Sequence, residues 1–430
     1  MKFTAVGDLL IQRRIQPDYP GFSELRPFIE QGDARFFNLE TTLNHESETA
    51  ASAFSGGTYI RTNPEVLEDI KNFGFNMTSF NNNHALDFFY DGFECTLKAV
   101  EKSGLVHAGA GRNMGEASAP KYLDTNNGRV ALISVNSNFD ISMMAGEQTS
   151  RVKGRPGING IRLNQKIVVT KEELEQIKRI GKISRINAAT EFARREGYFA
   201  EVPENEAELG TLKFIEGEKT GLYRTVNEND MKRVERAIYE AKLKADYIII
   251  SVHSHQVGGE RKEDPAEFLV QFAHDCIDLG ANAIVGHGPH LLRPIEVYKD
   301  SPIFYSLGDF ITELYDVDVA PYEFFEKHNE DPASTVHDLL KNRSKNFTVG
   351  LMEDPKMMMT VIPCWETDED NKLTKITLMP VKAPMKGKKS LVGLPRKTED
   401  SDLYEYLKEM CLPYGTHIIK ENDGTYSCKW

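Results

Sequence analysis

Apolar residues fall along the chain in short closed runs separated by longer stretches of mixed character. The runs FTAVG (3–7), ARFFNL (34–39), FNMTSF (75–80), RVALISV (129–135), DYIIISV (246–252) and NAIVG (282–286) predict strands. Between them, helices are predicted over 64–73, 92–103, 228–244 and 265–279, each ending near Gly or Lys. Asn63 stands where a cap is needed and Pro64 suits a first helical position. Residues 171–197 are helical in composition, yet Leu174, Ile177, Ile180, Ile183 and Ile186 recur at a strict spacing of three. Each such step falls about 60° short of a full turn, so either this helix is covered on several sides or it breaks near Gly181.

Strands alternating with helices mark a layered α/β fold. Residues 150–225 read as a helical insertion, either covering a site opening or forming a peripheral layer. The segment 313–346 is polar and irregular, with Pro321 and Pro332. After it, FTVGLME, MMMTVIP and KLTKITLMPV predict three strands that close a sheet. Residues 401–411 predict a short helix, and THIIKENDGTYSCKW a hairpin turning at Asp423–Gly424. The reading is one catalytic domain over 1–382 and a C-terminal extension over 383–430 packed on it.

Charge narrows the function classes. With 52 basic and 65 acidic residues the net charge is −13, which excludes the basic face that nucleic-acid binding requires. A pocket for a cation remains compatible with it. The five cysteines are scattered and form no C-x-x-C, so neither a zinc cluster nor a disulfide framework is expected. A strand already begins at residue 2, and no run of about 18 apolar residues occurs. The expectation is a cytoplasmic protein with no transmembrane segment; the oligomeric state is left open.

Polar side chains able to bind metals follow five of the strand runs. FTAVG leads into Asp8, and ARFFNL holds Asn38 and is followed by Glu40. FNMTSF opens into Asn81, Asn82, Asn83 and His84, with Asp87 beyond. DYIIISV leads to His253 and His255, and NAIVG to His287 and His290. Open α/β sheets place their sites at the carboxyl ends of strands. One histidine after one strand is ordinarily structural; donors at five strand ends predict a shared cation. Carboxylate, amide and imidazole without thiolate suit Mn²⁺, Fe or Zn²⁺. Gly7 and Gly286 are read as points where the backbone turns sharply to aim the next side chain.

The motifs AVGDLL, FFNLETTL, NNNHALDFFYDG, HAGAG, GRPGINGIR, IIISVH and VGHGPHLLRPIEVYKDSPIFYSLGDFI occur in this order. They resemble the CapA, or poly-γ-glutamate synthesis, family of the calcineurin-like metallophosphoesterase superfamily. The resemblance implies a four-layer αββα sandwich with a metal centre of one or two ions at the strand ends. It implies Asp8, Glu40, Asn83, His253, His287 and His290 as ligands, Glu40 bridging. His84 corresponds to the acid near the leaving group, Asp87 to the residue orienting it, and His253 counts with this catalytic set. Asn38, Asn82, Arg155, His255 and Asp309 are assigned to substrate, Arg155 as a fork for a carboxylate. Three departures stand out. Leu10 occupies the place of a customary histidine, the second acidic motif is reduced to NLETT, and Asp309 replaces a customary Asn.

Such a site polarises a carbonyl or phosphoryl oxygen while His84 moves a proton. The implied reaction is a metal-dependent one on a peptide or γ-glutamyl amide. Cα-epimerisation of a peptide, phosphoester hydrolysis and a non-catalytic role in assembling capsule polymer are the alternatives.

Overall fold

Strand Lys2–Leu10 is buried from Phe3 onward, so both of its edges must be hydrogen-bonded. The computed structural model describes residues 1–45 and 49–430 and shows how this is met. One edge pairs in parallel with Ala34–Leu39. The other is shared: Met359–Thr367 runs antiparallel along Lys2–Thr4, and Asp309–Thr312 runs parallel along Asp8–Leu10. Gly7 lies where these two partners meet. A Cβ there would overlap the carbonyl oxygen of Gly308, which accepts the Asp8 N–H at 2.9 Å. Gly286 is likewise closed in by the Tyr305 carbonyl. Both glycines therefore serve close backbone approach inside strands, not the sharp turns expected of them.

The chain divides into two units, Met1–Ile161 with Lys232–Trp430, and Arg162–Met231. The first is α/β. Among the described residues it holds a ten-stranded sheet, whose centre is Met359–Thr367, Lys2–Leu10, Ala34–Leu39 and Met77–Ser79. A six-stranded sheet has Gly128–Asn136, Tyr247–His253 and Ala283–His287 side by side and parallel. Phe3, Ala5 and Phe36 of the one share a core with Leu132, Tyr247, Ile249 and Val285 of the other, so the sheets face each other. The Phe3 ring stacks on Tyr247 with centroids 4.0 Å apart. By the two-residue alternation of strands, Val6 and Phe37 point the other way, and Leu9 joins them because the register shifts around Asp8. They pack on Leu25 and Phe28 of helix Pro20–Ile29 and on Phe93 and Leu97 of helix Phe89–Ser103. Helix Ser401–Cys411 adds Leu403, Leu407 and Met410 to the core between the sheets. The terminal hairpin His417–Lys420 with Tyr426–Lys429 turns through Gly424 at φ +81 and extends the large sheet.

Three expectations are corrected. FTVGLME is no strand: Phe347 has φ of 56, left-handed backbone that a strand does not adopt, and Leu351–Glu353 forms a short 3-10 turn. The irregular segment 313–346 holds helices Tyr322–Lys327 and Val336–Arg343, whose Phe324, Phe325, Leu339 and Leu340 pack on Tyr59 and Phe88. Helix Val66–Lys71 starts past the expected cap, Asn63, which instead faces His45 Nδ1 at 3.2 Å.

The second unit is not simply helical. It joins helices Lys171–Ser184 and Ala188–Arg195 to a four-stranded sheet in the order Glu206–Leu209, Leu212–Glu216, Leu163–Val169, Gly221–Val226. The first helix opens on a Thr170–Glu173 capping box. It ends at Arg185, φ +56, four residues beyond Gly181, which is buried inside it. No helix among the described residues is long and apolar enough to cross a membrane.

Candidate metal centre

The parallel strands of both sheets deliver their carboxyl ends to one place. Asp8 is held by two donors: Asn38 Nδ2 gives to Oδ1 at 2.7 Å and the Gly288 N–H gives to Oδ2 at 3.0 Å. Gly288 donates because its φ of +115 turns the chain just after strand Ala283–His287. His290, two residues on, adopts φ +59, a left-handed conformation that costs a histidine energy and points to a functional constraint. Its Nδ1 then lies 2.9 Å from Asp309 Oδ1.

Glu40 sits at the centre with no exposed surface, and neither oxygen has a hydrogen-bond partner. Oε1 is 3.7 Å from His253 Nε2 and 4.0 Å from His84 Nε2, while Oε2 is 3.9 Å from His290 Nδ1. His253 Nε2 is 2.7 Å from Asn83 Oδ1 and 3.1 Å from His255 Nε2. Two donor triads result, Glu40–His253–His255 and Asp8–His290–Asp309, each with its donor atoms within 4.8 Å of one another. Glu40 faces both.

Burial, aided by Asp8 and Asp309, pushes the Glu40 carboxyl well above its ordinary range. Burial also raises Asp309, against the pull of His290. Asp8 is buried too, but the close His287 ring and the charges of nearby histidines hold it below the usual carboxylate range. Burial lowers His253 to about 3 and takes His255 well below its normal value, so both offer neutral lone pairs. For His290, burial is outweighed by Asp309, which raises it. Three buried carboxylates with uncharged imidazoles aimed among them are costly alone and fit a divalent cation.

Of the expected ligands, Asp8, Glu40, His253 and His290 belong to the two triads, and Asn83 borders the first through His253. His287 stands aside: its Nδ1 is 3.3 Å from Asp8 Oδ1, and neither ring nitrogen has a hydrogen-bond partner. His255 and Asp309, assigned to substrate, are members of the triads instead. At the site of the absent histidine Leu10 lines a cavity, and Asp309, in register with Asp8, brings a carboxylate from the neighbouring strand.

His84 Nδ1 is 2.7 Å from Asp87 Oδ2. Asp87 also accepts the Gly56 and Ile60 N–H groups, both at 3.0 Å. A bond from Nδ1–H to this fixed carboxylate leaves Nε2 free to exchange a proton on the side facing Glu40. Asn38, assigned to substrate, donates to Asp8, and Asn82, assigned to substrate, donates to the Leu39 carbonyl. Arg155 is engaged by the Met144 carbonyl at 2.9 Å and is absent from the cavity wall.

That cavity, of about 570 Å³, starts at His84, His255 and His290 and runs out to Lys327, His328 and Arg343. None of those three residues was singled out in the sequence. They lie in a segment of ordinary polar composition, with no motif to flag them.

Residues 2–314 match the model of the bacterial capsule synthesis protein PGA_cap. The chain belongs to this family. It is 30% identical to the uncharacterized protein y4sH of Sinorhizobium fredii over 431 residues, 97% of this chain and 91% of that one. It is 22% identical to the capsule biosynthesis protein CapA of Bacillus anthracis over 72% of this chain and 59% of that one. With the PGA biosynthesis protein CapA of Bacillus subtilis it shares 25% over 71% of this chain and 62% of that one. PGA_cap proteins are related to the calcineurin-like superfamily, in line with the motifs quoted from the sequence.

Proposed function

We propose that this PGA_cap protein is a metal-dependent enzyme acting on a peptide or γ-glutamyl substrate at the group centred on Glu40. One observation carries the reading: a fully buried carboxylate with both oxygens unpartnered stands between two sets of His, Asp and Asn donors. In this reading the facing sheets, with helices on their outer sides, are the four-layer αββα sandwich of the calcineurin-like metallophosphoesterases. Asp8, His290 and Asp309 would hold one divalent ion, and Glu40, Asn83, His253 and His255 a second. His287 supports Asp8. The printed names of the CapA relatives favour a glutamate polymer or acidic peptide as substrate.

A divalent ion held there supplies Lewis-acid polarisation of a substrate carbonyl. The chain's own residues do the rest. His84 Nε2 gives or takes a proton at the face it shares with Glu40. Asp87 fixes the tautomer of His84, and the Gly56–Ile60 loop fixes Asp87 through two N–H bonds. The cavity above His84, His255 and His290 admits an extended substrate. The deciding experiment combines metal analysis with incubation of γ-glutamyl and acidic peptides in D₂O with Mn²⁺, read by mass spectrometry. Cleavage, or a one-unit mass gain at Cα for epimerisation, supports the reading. Turnover of an aryl phosphate alone, or material that takes up no ion, sinks it.

A further inference from the structure

The cavity wall carries two cations, Lys327 and Arg343, in a chain of net charge −13. Its lining includes Lys327, His328, Arg343 and three histidines of the centre, and no aspartate or glutamate among the described residues. Helix Val336–Arg343 ends on Arg343, whose Nη2 donates to Thr58 Oγ1 at 3.2 Å. Neither Arg343 nor Lys327 has a carboxylate within ion-pair distance among the described residues, whereas many surface cations of this chain do. Burial lowers His328, and the charges of Arg343 and Lys327 both add to that lowering, so the two cations act on one place. Both cations are exposed at the surface, and Leu314, Tyr315 and Phe347 line the same cavity.

We infer that the Arg343–Lys327 end of this cavity is a subsite for a substrate carboxylate, and that it makes the protein selective for acidic peptides over neutral ones. The inference rests on the preceding reading of the cavity as the substrate's approach. Arg343 has the planar fork that pairs with both oxygens of a carboxylate, and Lys327 adds a point charge beside it. A chain with one acidic side group at this end and an amide at His84 fits a pocket of this size. The fork assigned to Arg155 from the sequence is supplied by Arg343 instead.

The test measures calorimetric binding of tri-γ-glutamate and neutral tri-γ-glutamine to the full chain, with Mn²⁺ and with chelator. The variants are Arg343→Ala, Arg343→Lys and Lys327→Ala, each checked for its melting temperature and Mn²⁺ content. Arg343→Ala is expected to weaken tri-γ-glutamate at least tenfold, to leave tri-γ-glutamine and Mn²⁺ content unchanged, and to flatten the salt dependence. Arg343→Lys is expected to restore part of the loss. Equal binding of both peptides to the parent chain, or undiminished binding by Arg343→Ala, overturns the subsite. Arg343-dependent binding of inorganic phosphate without tri-γ-glutamate binding overturns the carboxylate assignment. Loss of Mn²⁺ binding by the parent chain overturns the metal reading instead, and the comparison in chelator still decides the subsite.

Discussion

Glu40 concentrates the physics of the site in one side chain. Replacing it by glutamine keeps the shape and removes the charge that has no partner. In chelator, Glu40→Gln is expected to match or exceed the parent chain in thermal stability. With Mn²⁺ at a hundredfold excess over Kd, the parent gains about 2.7 kcal/mol and the variant gains little. Melting curves with and without metal check this. Asp87→Asn leaves the triads untouched but loosens His84, and turnover is expected to fall about 10- to 100-fold at unchanged metal content. Glu313 makes a separate pH prediction. Burial lifts its carboxyl from 4.5 to about 7 despite the nearby Arg13 and the N–H groups of Gln12 and Arg13. The folded chain thus keeps a proton that the unfolded chain releases. The resulting stability is complete below about pH 4.5 and is lost as pH climbs through 7, by about 3 kcal/mol at most. Denaturant titrations should show this decline in the parent and not in Glu313→Gln.

At the level of strands and helices, Gly7 shows why the site is where it is. Only a residue without a Cβ lets the Gly308 carbonyl reach the Asp8 N–H, and that contact brings Asp309 alongside Asp8. Gly7→Ala is expected to destabilise the fold by about 3 kcal/mol, read from the denaturation midpoint. Most of these elements could be read from the chain because parallel strands leave their last residues on one side of a sheet. Asp8, Glu40, Asn83 and His253 each follow their own apolar run, and that signal is local. The membership of Asp309 and His255 in the triads was not local: it depends on pairing between distant strands and on which ring faces Glu40. Arg343 was hidden for a related reason. Its helix buries Leu339 and Leu340 within a stretch too polar to announce a core.

On the scale of the molecule, the two units have different resources. Met1–Ile161 with Lys232–Trp430 contains large apolar clusters between and outside its sheets. Within Arg162–Met231, by contrast, Ile180, Ile183, Ile186, Phe192 and Tyr198 are exposed. Scanning calorimetry is expected to resolve two transitions, the smaller and earlier one from Arg162–Met231, with added Mn²⁺ moving only the larger. The edge of Lys2–Leu10 that meets both Asp309–Thr312 and Met359–Thr367 carries a cost during synthesis. About 350 residues separate this strand from the second of those partners. At roughly 5–20 residues per second, a ribosome leaves that greasy edge unpaired for about 20–70 s. Until then it offers a sticky seam to any neighbouring nascent chain, which makes slow, cool or chaperone-assisted expression the route to undamaged protein.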